Sequence, residues 1–287
     1  MNVEDKIEDT AAPLIEHLAE LRTRLIRSVL AFVIAMVAMF AVAQPILGFI
    51  QRPLIDVLIA RGQSPELIFT APQEQFFVLI RISIIAGFAV SFPIIAHQLW
   101  RFVAPGLYAS EKNAVLPFLV ASPVLFFMGA SFAHYVVTPL AMNFFIGFAD
   151  AIPILTSYIL GSDPPAVSEE TTQLRTVFLG SIRESTDLAL KFIFAFGLCF
   201  QLPVLLTLLG KAGLVTAEGL GNVRKWAVVG ILTLAALVTP PDVITQIILF
   251  VVVYGLYEIS IQLVRLVEFR RNTQLRAEGI LDTDEEF

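Results

Sequence analysis

Residues 28–47, with the sequence SVLAFVIAMVAMFAVAQPIL, form an apolar run without a charged side chain. An α-helix needs about 20 mostly apolar residues to cross the hydrocarbon core of a bilayer. The run has that length, and no small-residue cleavage site of the kind that ends a signal peptide follows it. We therefore expect it to remain in the protein as a first transmembrane helix.

The composition of the whole chain agrees with a membrane location. Of its 287 residues, 57% are hydrophobic and 15% are charged, and the mean hydropathy is +0.80, which is too apolar for a soluble domain of this size. A net charge of -6 without a dense Lys and Arg cluster argues against nucleic acid as a partner. The single cysteine, Cys199, cannot form a disulfide or a cysteine metal cluster within one chain. We expect no metal and no cofactor.

Further apolar runs predict five more transmembrane helices. The last two are separated by Thr239-Pro240-Pro241-Asp242, because two adjacent prolines do not continue a helix. Both arms of this hairpin are short for a hydrocarbon layer of about 30 Å, which implies a thinned bilayer or cover by another protein. The six predicted helices lie at about 28–47, 76–96, 115–137, 188–209, 226–239 and 243–260.

The distribution of basic residues predicts the orientation of these helices. Residues 140–160 are apolar, but counting them as a seventh span would place Lys211, Arg224 and Lys225 outside, against the positive-inside rule. We therefore predict an all-α integral membrane protein, a single domain over 1–270, with both termini in the cytoplasm. Residues 139–187 then form an outer loop that begins apolar along the outer rim and is partly disordered. Residues 271–287 form an acidic cytoplasmic tail.

A short motif at the start of the first predicted helix points to a family. Residues 17–25, HLAELRTRL, resemble the signature of the TatC family, the core component of the twin-arginine protein translocase. The resemblance covers the chain from about Leu14 to Arg265 and rests on further motifs in the family's order. These are FTAPQEQFFVLIR at 69–81, QLWRFVAPGLYASE at 98–111, FAHYVVTP at 132–139, FGLCFQLP at 196–203 and TPPDVITQ at 239–246.

The resemblance implies a receptor for signal peptides with paired arginines, placed in the bacterial cytoplasmic (inner) membrane. Such a receptor assembles with the single-span proteins TatA and TatB and with other TatC copies, and the export of folded proteins is driven by the proton-motive force. It uses no cofactor and is not an enzyme. The residues agree, because the sequence contains no GxSxG, HExxH or P-loop motif and its three histidines, His17, His97 and His134, are scattered.

The resemblance implies that Glu20 and Glu111 bind the paired arginines of the signal peptide. Arg22, in the same motif as Glu20, is assigned to the same site. A guanidinium offers a planar fork of donors that a carboxylate accepts with both oxygens, so two carboxylates at a fixed separation favour two arginines. Plainer interpretations stay open. Glu20 precedes Arg24 by four residues, the spacing of an ordinary helical ion pair. Glu111 also fits a solvent-exposed position, and Arg22 fits the positive cluster that sets orientation.

Other positions fit the family pattern at two further places. At the outer face, Pro53, Glu74 and Phe76 match a cap over the concave side, although Pro53 also suits a turn and Phe76 a lipid-facing position. Within the membrane, Gln201 stands where many family members carry glutamate, so a mechanism that needs a titrating group there is in doubt. It either contacts cargo or a partner, or it satisfies backbone groups freed by Pro203.

The tip of the final hairpin contains two polar residues. Asp242 is placed to cap the N-terminus of the sixth helix. Gln246, one turn deeper, offers a polar contact to a partner helix.

Two alternative functions belong to other classes. The first is a small multi-pass solute transporter or channel, which requires a continuous polar path, and the second, more remote, is an intramembrane enzyme. The polar residues lie mostly at helix ends, and no internal repeat divides the helices into two halves.

Overall fold

The computed structural model describes residues 3–103, 116–148, 180–239 and 243–277. The described chain is mostly helical. Its elements in chain order are α1 (Val3–Ala41), α2 (Ala43–Ala60), β1 (Leu67–Ile68), α3 (Glu74–Val103), α4 (Leu116–Phe132), a π-helical turn (Ala133–Val137), α5 (138–148), β2 (Gly180–Ser181), α6 (Ile182–Cys199), α7 (Leu202–Lys211), α8 (Ala217–Asn222), α9 (Arg224–Val238) and α10 (Val243–Ala277).

Five long helices in the described chain are apolar enough to cross a membrane, which makes the chain a multi-pass membrane protein. These candidate spans are Leu18–Ala41, Glu74–Phe102, Pro117–Phe148, Ile182–Lys211 and Val243–Thr273. The helix α9 has only 15 residues, about 22 Å at 1.5 Å per residue, in agreement with the short fifth helix predicted. The prediction of a short sixth helix is wrong. The helix α10 has 35 residues, because its charged second half continues the helix beyond the apolar part.

The first helix ends earlier than the apolar run predicts. The helix α1 stops at Ala41, and α2 starts at Ala43 rather than after a loop. Pro45 explains the break, because it has no N–H to donate to the Ala41 carbonyl four residues before it. Pro53 lies buried inside α2, so the interpretation of Pro53 as a turn former is wrong.

Close packing joins α1 to α3. A Cβ atom added at Gly87 of α3 would lie 2.6 Å from the Met36 Cα atom of α1, so the two backbones approach to a distance that only glycine allows. Between Leu18 and Ala41 the side chains of α1 are exposed or half-buried, and none of the residues in its most apolar 18-residue window is buried. Between Leu18 and Ala41, the first helix therefore contacts the described bundle along one side and leaves its other side uncovered.

A second glycine contact joins α4 to α6. A Cβ atom at Gly129 would lie 2.5 Å from the Phe196 carbonyl oxygen, and one at Gly197 would lie 2.7 Å from the Phe126 ring. The π-helical turn follows, where Thr138 Oγ1 donates to the Ala133 carbonyl five residues back at 2.9 Å. Beyond this turn, α5 packs against α2. Residues 138–148 thus continue the third span, and 149–179 lie outside the described residues.

The fourth predicted helix starts earlier and is broken. The helix α6 starts at Ile182, six residues before Leu188, because Arg183, Glu184 and Asp187 extend the helix although they are polar. A break separates α6 from α7, since Pro203 has no N–H for the Cys199 carbonyl. Residues 271–277, the first part of the predicted acidic tail, continue the helix α10, and 278–287 lie outside the described residues.

The two ends of the helical bundle are defined by its contacts. Trp100 near the end of α3 packs with Leu208 near the end of α7, and Gly210 lies against Val264 of α10. We call this the Glu20 end. At the opposite end, the Glu74 end, β1 and β2 form a parallel pair with Leu67 beside Gly180 and Ile68 beside Ser181. This small sheet was not predicted.

Candidate functional site

A cavity of about 390 Å³ opens at the Glu20 end, between α1 and the last turn of α3. We call it the Glu20 cavity. Among the described residues, its lining contains one carboxylate and three guanidinium groups, so basic side chains predominate there. The lining residues are Ala19, Glu20, Thr23, Arg24, Arg27 and Arg101.

Glu20 is engaged by an arginine of its own helix. Arg24 Nε donates to Glu20 Oε1 at 3.0 Å, and an Nη atom of Arg24 donates to the same oxygen. The Arg24 side chain is 15% exposed and the Glu20 side chain is 36% exposed. The ion pair expected from the spacing of four residues is therefore confirmed. An arginine from outside must share the Glu20 carboxylate with Arg24 or displace it.

The other two residues assigned to the signal peptide do not join Glu20 in the described structure. Arg22 is exposed and is not among the residues that line the Glu20 cavity. Residues two apart on a helix point in different directions, which explains the separation. Glu111 lies outside the described residues, so the pairing of the two carboxylates stays a prediction.

Glu74 forms a network with the backbone at the opposite end. Its side chain is buried, and Oε2 accepts hydrogen bonds from Thr70 N and Thr70 Oγ1, both at 2.7 Å, and from Ala71 N at 3.3 Å. Oε1 accepts from Ser181 Oγ at 2.9 Å and from Arg183 N at 3.3 Å. The carboxylate thus fastens the start of α3 to β2 and the start of α6.

The three residues matched to an outer cap differ in their surroundings. Pro53 is buried within α2, and Glu74 is buried in its network of hydrogen bonds. Phe76 is 55% exposed and packs edge-on against Phe77, with 5.7 Å between the ring centroids. Gln51 of α2 adds a contact that we did not predict. Its Nε2 donates to Thr186 Oγ1 of α6 at 2.6 Å.

Gln201 is paired inside the bundle. Its Nε2 donates to the Ser122 carbonyl at 2.9 Å, and Ser122 Oγ donates to Gln201 Oε1 at 2.6 Å. Both atoms of the amide therefore have a partner on α4. We predicted hydrogen bonds from Gln201 to the backbone groups freed by Pro203 as one alternative. In the structure the Gln201 amide instead bonds to Ser122 of α4.

The final hairpin, α9 and α10, leaves much apolar surface uncovered. Leu237 is 80% exposed and Val243 is 69% exposed. Gln246 is half-buried on the first turn of α10. Asp242 lies outside the described residues, so its role as a helix cap stays a prediction.

Two ion pairs between helices were missed by sequence reasoning. Arg81 of α3 pairs with Asp187 of α6. Arg224 of α9 donates to both oxygens of Glu258 of α10, at 2.7 and 3.0 Å. A signal was present, because each pair places opposite charges within otherwise apolar helical segments. The sequence does not indicate which distant residues meet.

Comparison with known proteins identifies the family. A family model described as Sec-independent protein translocase protein (TatC) matches residues 16–251. The chain is 41% identical to the Sec-independent protein translocase protein TatC of Magnetococcus marinus, over 93% of this chain and 89% of the relative. It is 33% identical to the protein of the same name from Escherichia coli, over 89% of this chain and 88% of the relative.

Solved structures agree with this assignment. A crystal structure described as the twin arginine translocase receptor TatC matches with a TM-score of 0.70 and 35% identity, over 88% of this chain and 99% of that structure. A second crystal structure of that receptor in the detergent DDM matches with a TM-score of 0.68 and 36% identity, over 86% of this chain and 98% of that structure. The arrangement of long helices around the Glu20 cavity and the Glu74 network is thus that of a known fold, and the chain belongs to the TatC family of Sec-independent protein translocase proteins.

Proposed function

We propose that this TatC family member is the receptor that binds the paired arginines of signal peptides at the Glu20 end of the bundle. It serves as the core scaffold of a translocase that exports folded proteins across the bacterial cytoplasmic membrane, driven by the proton-motive force. The observation that carries the proposal is the half-exposed Glu20 carboxylate in an open cavity at one end of the bundle. A carboxylate in that position accepts a guanidinium fork from a peptide on the membrane surface.

The proposed orientation has six membrane helices and both termini in the cytoplasm, with α9 as the short fifth helix. Its support is the convergence of basic residues at the Glu20 end. The ends of α3 and α7 carry Arg101 and Lys211, and α9 starts with Arg224 and Lys225. Cytoplasmic ends of transmembrane helices carry such an excess of Lys and Arg.

Binding of the signal's first arginine requires an exchange at Glu20. A helical ion pair at a spacing of four residues stabilises by about 0.2–0.5 kcal/mol, so releasing Arg24 from Glu20 costs little. Glu111 is the proposed second carboxylate. The helix α3 ends at Val103, two residues past the cavity-lining Arg101, and Glu111 follows Val103 by eight residues in the sequence.

The proposed partners are the single-span proteins TatA and TatB and other TatC copies. Uncovered apolar side chains on the final hairpin, such as Leu237 and Val243, support a helix-binding surface there. Gln246 offers a polar contact on the same hairpin. Because α9 is short, a partner helix beside it also shields a region where the bilayer is locally thinned.

Site-specific photocrosslinking to a twin-arginine signal peptide tests the receptor role. Glu20→Gln and Glu111→Gln keep side-chain size and remove the charge, and we expect each to lower crosslinking from a probe at Leu21 at least fivefold. Glu218→Gln is the matched control, because Glu218 is an exposed acidic residue of the short helix α8. Unchanged crosslinking in both variants, with normal insertion, contradicts the proposal. A fivefold effect corresponds to about 1 kcal/mol, the order of one charge-assisted hydrogen bond.

A further inference from the structure

Among the described residues, the lining of the Glu20 cavity carries more positive charge than the Glu20 carboxylate balances. Three arginines line it, and Glu20 pairs with Arg24. Within the described part of the chain, Arg27 and Arg101 form no ion pair. They come from different helices, α1 and α3, and their side chains are exposed. Two guanidinium groups that converge on one cavity favour a bound anion with several oxygens, and phosphate geometry matches the guanidinium fork.

The depth of this cavity matches the phosphate layer of a membrane. Arg27 directly precedes Ser28, where the apolar run of α1 begins, and Arg101 lies in the last turn of α3 beside Trp100. Basic side chains and tryptophan at the ends of transmembrane helices mark the headgroup region. Basic cavities between transmembrane helices at this depth are known to hold the headgroups of anionic lipids.

One face of α1 connects the cavity to the hydrocarbon layer. Thr23, Arg27, Leu30 and Ile34 follow one another at intervals of four, three and four residues, so they lie on the same side of the helix. Thr23 and Arg27 line the cavity, while Leu30 is 56% exposed and Ile34 is 62% exposed. An acyl chain attached to a phosphate in the cavity therefore has an apolar path along α1, which a free phosphate does not use.

From this charge, depth and apolar path, we propose that the Glu20 cavity binds the phosphodiester of an anionic phospholipid between Arg27 and Arg101. The lipid neutralises the two arginines, which have no carboxylate partner among the described residues. Neutralisation by a lipid has one consequence for signal-peptide binding, and that consequence rests on the proposed receptor role. Without the lipid, the positive charges of Arg27 and Arg101 beside Glu20 repel an arriving arginine. The lipid site itself depends only on the membrane location of the chain.

A lipid-binding measurement on the purified full chain tests this site. Native mass spectrometry records the phospholipid retained during titration with phosphatidylglycerol or phosphatidylcholine, and inorganic phosphate and glycerophosphoglycerol serve as competitors without acyl chains. We expect phosphatidylglycerol to bind about 10- to 30-fold more tightly than phosphatidylcholine, the effect of two arginines near a phosphate. Equal binding of the two lipids overturns the proposal. Displacement of the lipid by inorganic phosphate at an equal concentration assigns the site to a free phosphate and also overturns it.

Variants assign the binding to the two arginines. Arg27→Gln with Arg101→Gln is expected to remove the preference for phosphatidylglycerol, while Arg27→Lys with Arg101→Lys keeps most of it. The control is Arg265→Gln with Arg270→Gln, two exposed arginines in the second half of α10. The proposed site is contradicted if the control variant loses the preference for phosphatidylglycerol equally, or if the first double variant keeps it. If the first variant does not fold, the titrations of the native chain still decide. No signal peptide is present, so the outcome is independent of the receptor test.

Discussion

Glu20 and Glu74 are carboxylates at opposite ends of the same bundle, and their surroundings differ in a way that separates binding from structure. Glu74 is buried and accepts hydrogen bonds from three backbone N–H groups and two hydroxyls. Glu20 is 36% exposed and pairs with an arginine on its own helix. A carboxylate whose lone pairs are all used by its own chain holds segments together. Glu20, half-exposed in an open cavity and paired with Arg24, is the carboxylate that we propose binds a ligand.

The Glu74 end should respond most strongly to loss of a carboxylate. In Glu74→Gln, an NH₂ group replaces one oxygen and faces donors such as Thr70 N or Ser181 Oγ, so buried donors lose their acceptor. We expect a larger fall in thermal midpoint than in Ser122→Ala or Arg24→Gln, measured by thermal unfolding in detergent. Signal-peptide crosslinking per folded molecule should be unchanged.

The control for this variant is Glu66→Gln, because Glu66 is an exposed acidic residue in the same connection between α2 and α3. It should unfold at the temperature of the native chain. A thermal midpoint of Glu74→Gln that equals that of the control would show that the network does not hold the Glu74 end together.

The pair between Gln201 and Ser122 gives the next largest effect. Ser122→Ala removes the hydroxyl that donates to Gln201 Oε1 at 2.6 Å and leaves the backbone contact of 2.9 Å in place. Hydrogen bonds between transmembrane helices contribute about 0.6 kcal/mol on average and up to about 1.7 kcal/mol. We expect a loss of about 1 kcal/mol in unfolding free energy, measured by denaturant titration in mixed micelles.

Ser131→Ala serves as the comparison, since Ser131 lies exposed on the same helix α4. Equal stabilities of Ser122→Ala and Ser131→Ala would mean that the reciprocal pair does not stabilise the packing of α4 on the break before α7. Gln201 would then be open to a contact with cargo or with a partner helix.

The apolar runs predicted where the membrane helices lie, but not where they end. Hydropathy reports the transfer of side chains into the bilayer, whereas a helix continues wherever its backbone hydrogen bonds continue. For this reason α6 starts at Ile182, through the charged residues before Leu188, and α10 extends to Ala277. Pro45 and Pro203 mark two of these ends, since each stands four residues after the last residue of a helix and has no N–H for its carbonyl.

The candidate site was predictable only where its contacts are local. The spacing from Glu20 to Arg24 predicted their ion pair, because a helix brings residues four apart together. The sequence did not predict that Arg101 reaches the same cavity, or that Ser181 bonds to Glu74, because those contacts depend on how α1 and α6 pack against α3. Long-range contacts require the packed structure.

The smallest expected effect belongs to Arg24, and it tests the exchange at Glu20. Arg24→Gln removes an ion pair worth about 0.2–0.5 kcal/mol, so stability should hardly change. The same free energy corresponds to about a twofold gain in signal-peptide crosslinking, because the incoming arginine no longer competes with Arg24. Arg270→Gln controls for the loss of one positive charge at the Glu20 end. If crosslinking falls in Arg24→Gln and not in the control, then Arg24 positions Glu20 for the ligand rather than occupying its place.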